Sequence, residues 1–116
     1  MKRRHKYNAK KTAVDGIAFD SKREAKRYVE LKLLEKAGEI FGLTLQPTFR
    51  FRISGNAVLI RSKGYPSGRQ ASYRADFRYV RDGQDVIEDV KGVRTPLYKL
   101  KKAMVEAQYG VRVEEV

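Results

Sequence analysis

The order of hydrophobic patterns along the chain predicts an α/β protein with a mixed central sheet flanked by helices. Apolar residues recur at helical spacing near residues 25–34 and again near 97–107, whereas they alternate with polar residues in stretches between 48 and 91. Glycine, proline and capping residues at the segment boundaries mark where each element starts and stops. The predicted order of elements is α-β-β-β-α-β, in a single domain over residues 15–116.

The first helix is predicted to run from about Lys22 to Ala37. Ser21 and Glu24 have the spacing of a capping box, which satisfies two N–H groups at the start of a helix. Gly38 is a stop signal at the other end. Apolar residues at helical spacing are expected to face the core, namely Ala25, Tyr28, Val29 and Leu33.

Three strands are predicted after this helix, and residues 57–60 either add another strand or extend the first hairpin. Residues 48–53 alternate between apolar and polar side chains, which is typical of a half-buried strand. Residues 61–70 are basic and contain two glycines and a proline, which predicts a mobile loop. Residues 72–81 and 85–91 then read as two long strands joined at Asp82-Gly83, a strong signal for a hairpin turn.

The second helix is predicted to start at Thr95-Pro96, because proline is favoured at the first helical position. Leu97, Leu100 and Met104 then recur on one helical face, and Gly110 is a stop signal. Residues 111–113 alternate and predict a short last strand.

The composition points to a polyanion as the partner. The 116 residues carry a formal net charge of +12, with 26 Lys+Arg against 14 Asp+Glu. Such an excess on one small domain is typical of nucleic-acid-binding proteins. Cysteine is absent and His5 is the one histidine, so any metal must be held by carboxylates, which favours Mg²⁺ or Mn²⁺.

No apolar run is long enough to cross a bilayer, and no secretory signal is recognisable. We therefore expect a cytoplasmic protein that does not enter membranes. Residues 1–14 are expected to form a basic, flexible arm that either contacts phosphates or is merely a solvated tail. The cations expected to contact nucleic acid are Arg3, Arg4, Lys10, Lys11, Lys22, Arg61, Lys63, Arg69, Lys99 and Lys102.

Three residues around the predicted hairpin could carry chemistry. Asp76 and Asp89 lie at similar distances from the turn, and Lys91 points to the same face as Asp89 because side chains alternate along a strand. Two close carboxylates repel, and a bridging divalent cation relieves the repulsion. A lysine beside them can stabilise charge on a phosphate. The alternatives are a surface aspartate at position 76 and an ordinary ion pair between the other two.

This pattern resembles the PD-(D/E)XK nuclease superfamily, with Ala75 in place of its proline. The motifs Gly16-x-x-Phe19-Asp20-Ser21-Lys22-x-Glu24-Ala25, Tyr73-x-x-Asp76-Phe77, Glu88-Asp89-Val90-Lys91-Gly92 and Tyr98-Lys99-Leu100-Lys101 resemble a family of small phage and prophage proteins, DUF1064. They are also similar to the endonuclease subunit of Tn7-type transposition and to small Holliday-junction resolvases. The resemblance covers residues 14–113.

The resemblance implies a restriction-endonuclease-like αβββαβ fold and a Mg²⁺- or Mn²⁺-dependent endonuclease acting on branched or recombination DNA. It implies metal binding by Asp76 and Asp89 with help from Glu24, and a catalytic role for Lys91. The location would be the cytoplasm of a bacterial host. A homodimer is expected if the substrate is a two-fold symmetric junction.

Several alternatives stay open. Glu24 could act only in the capping box. Glu88 is expected to be solvated or salt-bridged, with a metal role as the alternative if a bulge shifts the register. Gln46 either reaches the site or shapes a turn, while Tyr73 and Tyr79 belong to the core or stack on bases. The protein could also bind nucleic acid without cutting it, as a non-cleaving module or a phage replication-accessory protein.

Overall fold

The computed structural model describes residues 11–90 and 93–116, and these residues form two helices and twelve strands. The helices are α1 (Lys22–Lys36) and α2 (Pro96–Tyr109). The strands, in chain order, are β1 (Thr12–Val14), β2 (Ile17–Phe19), β3 (Phe41–Leu45), β4 (Thr48–Arg50), β5 (Arg52–Ile53), β6 (Asn56–Ala57), β7 (Leu59–Ser62), β8 (Tyr65–Gln70), β9 (Ser72–Arg74), β10 (Phe77–Arg81), β11 (Gln84–Asp89) and β12 (Val113–Glu115).

Both predicted helices are confirmed, and they end where the capping residues predict. The Ser21 hydroxyl accepts a hydrogen bond from the Glu24 N–H at 3.2 Å. The Thr95 hydroxyl does the same for the Tyr98 N–H at 3.1 Å, with Pro96 as the first residue of α2. Gly110 ends α2 in the left-handed conformation, φ 65°. Neither of these helices is long and apolar enough to cross a membrane.

The predicted α/β class, with an αβββαβ core and flanking helices, is wrong. Strands contain 43% of the described residues and helices 28%, so this part of the chain is mostly β. Its strands form five sheets, four of which have only two strands. The physical reason lies in residues 48–74, where tight turns pair β5 with β6 and β7 with β8, and β4 pairs with β9, so that none of these strands extends one central sheet.

One larger sheet is present, and it has four strands in the order β12-β11-β10-β3. β10 pairs antiparallel with both β3 and β11, and β12 lies parallel to β11. The hairpin predicted at Asp82-Gly83 is confirmed, with positive φ angles of 50° and 73° at the two turn residues. In this hairpin Phe77 lies opposite Glu88, so the same register places Asp76 opposite Asp89.

The core consists of two hydrophobic clusters. One joins α1 to the four-stranded sheet and contains Phe19, Ala25, Tyr28, Leu31, Ile40, Phe77 and Tyr79. The other joins α2 to β4, β9, β11 and β12 and contains Phe49, Phe51, Tyr73, Ala75, Ile87, Tyr98, Val105 and Val113. Val29 and Leu33 were expected in the core but are exposed, because α1 buries a narrower stripe than its sequence predicts.

Three other sequence-based boundaries need correction. The predicted arm over residues 1–14 includes Thr12–Val14, which instead form β1 and pair with β2; residues 1–10 lie outside the described residues. Residues 61–70 were expected as a loop, but most of them form the hairpin of β7 and β8. The last strand was expected at residues 111–113 and lies at Val113–Glu115.

Candidate functional site

The site predicted around Asp76 lies where two strands of different sheets meet. Residues 72–81 were expected as one strand, yet the pairing changes at Ala75 and Asp76: β9 pairs with β4, whereas β10 pairs with β3 and β11. The Asp76 N–H donates to the Glu88 carbonyl at 3.0 Å, and the Asp76 carbonyl accepts from the Gln46 N–H at 2.9 Å. Neighbouring strands therefore hold the Asp76 backbone from both sides.

The carboxyl groups of Asp76 and Asp89 lie within hydrogen-bonding reach of each other, and this contact contributes to the raised pKa of Asp76. Asp89 is 1% exposed and also accepts a hydrogen bond from the Tyr73 hydroxyl. The Val90 N–H donates to Asp76 Oδ2 at 2.6 Å. The pair expected from the hairpin register is therefore present, and backbone and tyrosine donors hold both of its members in place.

Burial raises the pKa of the Asp76 carboxyl from 3.8 to about 7, and the hydrogen bond with Asp89 and the negative charge of Glu24 add to the rise. The Val90 N–H opposes it by stabilising the carboxylate form. A hydrogen bond between two carboxyl groups needs one proton, and Asp76 can supply it up to about neutral pH. Burial, followed by the hydrogen bond to Asp89, also raises the pKa of the Tyr73 hydroxyl.

Glu24 and Gln46 lie beside the pair. Together with Asp76 and apolar neighbours they line a small pocket of about 120 Å³. Glu24 is half-buried in the first turn of α1, so its role as capping residue and its place in the pocket are compatible. Gln46 has a positive φ of 52°, which fits the expected turn role, and it also reaches the pocket.

The donor set suits a hard divalent cation, since it consists of carboxylate oxygens. A bound cation would favour the ionised form of Asp76, which burial and, to a smaller extent, the negative charges of Glu24 and Asp89 disfavour. Asp76 and Asp89 would hold such an ion, with Glu24 as the third carboxylate. Over residues 11–90 and 93–116, however, no three acidic or histidine side chains converge closely enough to form a complete metal cage. Lys91, the predicted catalytic lysine, lies outside the described residues.

Glu88 forms a buried ion pair, which confirms the salt-bridged alternative expected from the sequence, although its partner Arg27 was not identified there. Its side chain is 1% exposed and accepts two hydrogen bonds from Arg27, at 2.8 Å from Nε and 2.6 Å from Nη2, and one from the Tyr79 hydroxyl. Arg27 follows Glu24 by one helical turn, and Glu88 precedes Asp89. The ion pair therefore fixes the distance between the two elements that carry the site.

The cations predicted to contact nucleic acid are distributed over several elements. Lys102 is partly buried and lies 3.7 Å from Glu115. Arg3, Arg4 and Lys10 lie outside the described residues. The exposed ones are Lys11, Lys22, Arg61, Lys63, Arg69 and Lys99.

Other cations were missed by sequence reasoning. Arg50 and Arg74 are exposed on the paired strands β4 and β9, whose opposite face carries the buried pair Phe49 and Tyr73. A signal was available, because residues 48–81 contain eight basic residues and one acidic residue, Asp76. Asp76 therefore lies within a strongly basic stretch of the sequence.

Comparison with known proteins identifies a family. No curated protein and no solved structure matches the chain. A family model described as a protein of unknown function, DUF1064, matches residues 4–114. This match spans both helices and the carboxyl pair, and the chain therefore belongs to the DUF1064 family.

Proposed function

We propose that the protein is a metal-dependent DNA endonuclease with an active site of the PD-(D/E)XK type. The observation that carries the proposal is the pair of half-buried Asp76 and buried Asp89, with Glu24 close enough to raise the pKa of Asp76. Burying two carboxyls side by side is unfavourable for folding, so such a pair is typical of a functional site.

The charge of the protein supports DNA as the substrate. The net charge is +12, and the basic stretch 48–81 contains β9 and β10, the strands that flank Asp76. Cations such as Arg50 and Arg74 would contact DNA phosphates and hold the DNA backbone near the carboxyl pair. By the resemblance described above, the substrate would be branched or recombination DNA, and a dimer would place two sites on a four-way junction.

Each residue of the site would have a distinct role. Asp76 and Asp89 would bind Mg²⁺ or Mn²⁺, which would polarise a phosphoryl oxygen and make water more acidic. Tyr73 and the Val90 N–H hold the two carboxyls in position. Lys91, two residues after Asp89, would stabilise negative charge on the phosphate, as the resemblance implies.

A second candidate is a module that binds nucleic acid without cutting it, for example in phage replication. The absence of a complete three-residue metal cage in the described ranges favours this candidate. The basic surface and the exposed arginines suit it equally well.

Cleavage assays distinguish the two candidates. Labelled four-way junction, flap and blunt duplex would be incubated with wild type in Mg²⁺, in Mn²⁺ and in EDTA. Asp89→Asn and Lys91→Ala test the site, and Asp85→Asn is the matched control, because Asp85 is an exposed acid on the same strand as Asp89. We expect metal-dependent cutting that Asp89→Asn and Lys91→Ala reduce by about 100-fold or more and Asp85→Asn preserves. Binding without cutting in every metal would favour the second candidate.

A further inference from the structure

The hairpin of β7 and β8 forms a sheet of its own. Its two strands pair only with each other among the described strands, with Ile60 opposite Arg69 and Ser62 opposite Tyr65. Gly68 has a φ of +92°, and a Cβ atom there would lie 2.9 Å from Leu59 Cβ. Glycine therefore lets the two strands approach closely at this point. We call residues 59–70 the basic ribbon.

The base of the basic ribbon is firmly attached to the domain. The Ala71 N–H donates to the Val58 carbonyl at 2.8 Å, and the Phe51 N–H donates to the Ala71 carbonyl at 3.0 Å. The Gln70 amide donates to the Phe51 carbonyl at 3.1 Å. Beyond Ala71 the chain continues directly into β9, which carries Tyr73. The ribbon is thus hydrogen-bonded to the domain at its base and continuous with β9, whose Tyr73 donates to Asp89.

One face of the ribbon combines apolar and cationic groups. Residues directly opposite each other in an antiparallel pair share a face, so Ile60 lies on the face of Arg69, and Ser62 on that of Tyr65. The guanidinium carbon of Arg69 lies 5.0 Å from the centre of the Tyr65 ring, which places both residues on one face. Ile60 is 53% exposed and Tyr65 49%. This face therefore presents an aromatic ring and an aliphatic side chain to solvent.

The charge of the ribbon indicates which class of ligand it binds. Residues 59–70 contain Arg61, Lys63 and Arg69 and no acidic residue, so they attract a polyanion. A phosphate backbone alone would not use the exposed ring or Ile60. Unpaired nucleotides offer phosphates together with flat base surfaces, on which an aromatic ring and a guanidinium can stack. Base pairs inside a continuous duplex do not offer these surfaces, because they are stacked on each other.

We infer that the basic ribbon binds unpaired nucleotides of DNA, with a base stacked on Tyr65 and a phosphate held by Arg69 on the same face. Arg61 and Lys63 add to the positive charge that attracts the strand. This inference rests on the proposed function, since it concerns the DNA that the carboxyl pair would cut. Tyr65 and Asp76 are eleven positions apart, so their Cα atoms are at most about 37 Å apart. One DNA molecule can therefore contact both, and the preferred substrate has unpaired bases within about one helical turn of the cut.

The test is DNA binding in EDTA, which does not depend on cleavage. Fluorescence anisotropy would measure affinity for a labelled single strand, a flap with an unpaired arm and a blunt duplex. Tyr65→Ala removes the ring, Tyr65→Phe retains it, and Phe41→Ala is a control at another exposed aromatic residue, 61% exposed on β3. We expect Tyr65→Ala to weaken binding of the single strand and the flap about fivefold or more, and of the duplex less than about twofold. Tyr65→Phe and Phe41→Ala should bind like wild type.

The charges are tested by matched triple variants. Replacing the three ribbon cations by alanine should weaken binding of all three DNAs and reduce the dependence of affinity on salt, because fewer counterions are released. A control triple variant removes the same charge from exposed residues elsewhere and should have a smaller effect. The ribbon cations are Arg61, Lys63 and Arg69, and the control residues are Lys26, Lys36 and Arg112.

The outcomes separate the two proposals. Unchanged affinity of Tyr65→Ala, or an equal loss on duplex and single strand, would overturn the stacking role while leaving the nuclease proposal intact. If a protein partner covers this face instead, the ribbon variants would bind DNA like wild type. That result would also overturn the ribbon inference and leave the nuclease proposal intact. Failure of wild type to bind any of the DNAs would overturn the ribbon inference and the proposed function together.

Discussion

Replacing Asp76 by asparagine should stabilise the metal-free protein near pH 8 and leave its stability near pH 4 almost unchanged. Burial and the neighbouring Asp89 raise the pKa of Asp76 from 3.8 to about 7. The folded state therefore binds this proton more tightly than the unfolded state does. By linkage, the free energy of unfolding falls as the pH rises from about 4 to about 7, and the loss is complete above that range.

The size of the effect follows from the same shift. A rise from 3.8 to about 7 corresponds to at most about 4 kcal/mol. Asp76 is only half-buried, so solvent screens part of the interaction, and we expect about 2 kcal/mol. Asparagine is neutral at every pH and can still accept the hydrogen bond from the Val90 N–H. The substitution should therefore raise Tm by about 8 °C near pH 8 in a domain of this size.

Thermal unfolding followed by circular dichroism in EDTA, between about pH 4 and pH 8, measures this difference. Asp85→Asn is the control, because its carboxylate is exposed and pairs with Arg78 at the surface. Groups that do not interact with Asp76 titrate alike in both proteins and cancel in the comparison of wild type with Asp76→Asn. The reasoning is refuted if Asp76→Asn keeps the pH dependence of wild type, or if it lowers Tm near pH 8.

Two substitutions away from the carboxyl pair test the surrounding structure by thermal melts. Arg27→Met should lower the free energy of unfolding by about 3 kcal/mol, because it leaves Glu88 buried and without its ion-pair partner. Adding Glu88→Gln should recover part of that loss, and no recovery would contradict the buried-charge explanation. Gly68→Ala should cost about 1–3 kcal/mol, since φ is +92° and the new Cβ would lie 2.9 Å from Leu59 Cβ. Gly64→Ala meets nothing within 4 Å and should have little effect; equal losses at the two glycines would refute the steric argument.

Local signals predicted the helices and the main hairpin because each signal acts within a few residues. Ser21 and Thr95 cap helices through hydrogen bonds to residues three positions ahead. Gly110 and Asp82-Gly83 adopt the positive φ angles that their positions require. The hairpin register then brought Asp76 and Asp89 together, which is why the carboxyl pair could be predicted from the sequence.

The sequence does not reveal which distant segments pair with each other, and this is why the predicted fold class was wrong. Residues 72–81 alternate like one strand, yet the first part pairs with β4 and the second part with β3 and β11. The segment 48–70 contains short local hairpins that its alternation does not reveal. The partner of Glu88 is Arg27, 61 positions away, and no periodicity links the two.

The central claim is that Asp76 and Asp89 together bind a divalent cation. Electron paramagnetic resonance of free Mn²⁺, titrated with protein near pH 8, tests this claim without requiring catalysis. We predict that wild type and Asp85→Asn bind Mn²⁺ with the same affinity, whereas Asp76→Asn and Asp89→Asn lower the affinity by about tenfold or more. Equal Mn²⁺ binding by wild type and Asp76→Asn, or no binding by wild type, would contradict the account.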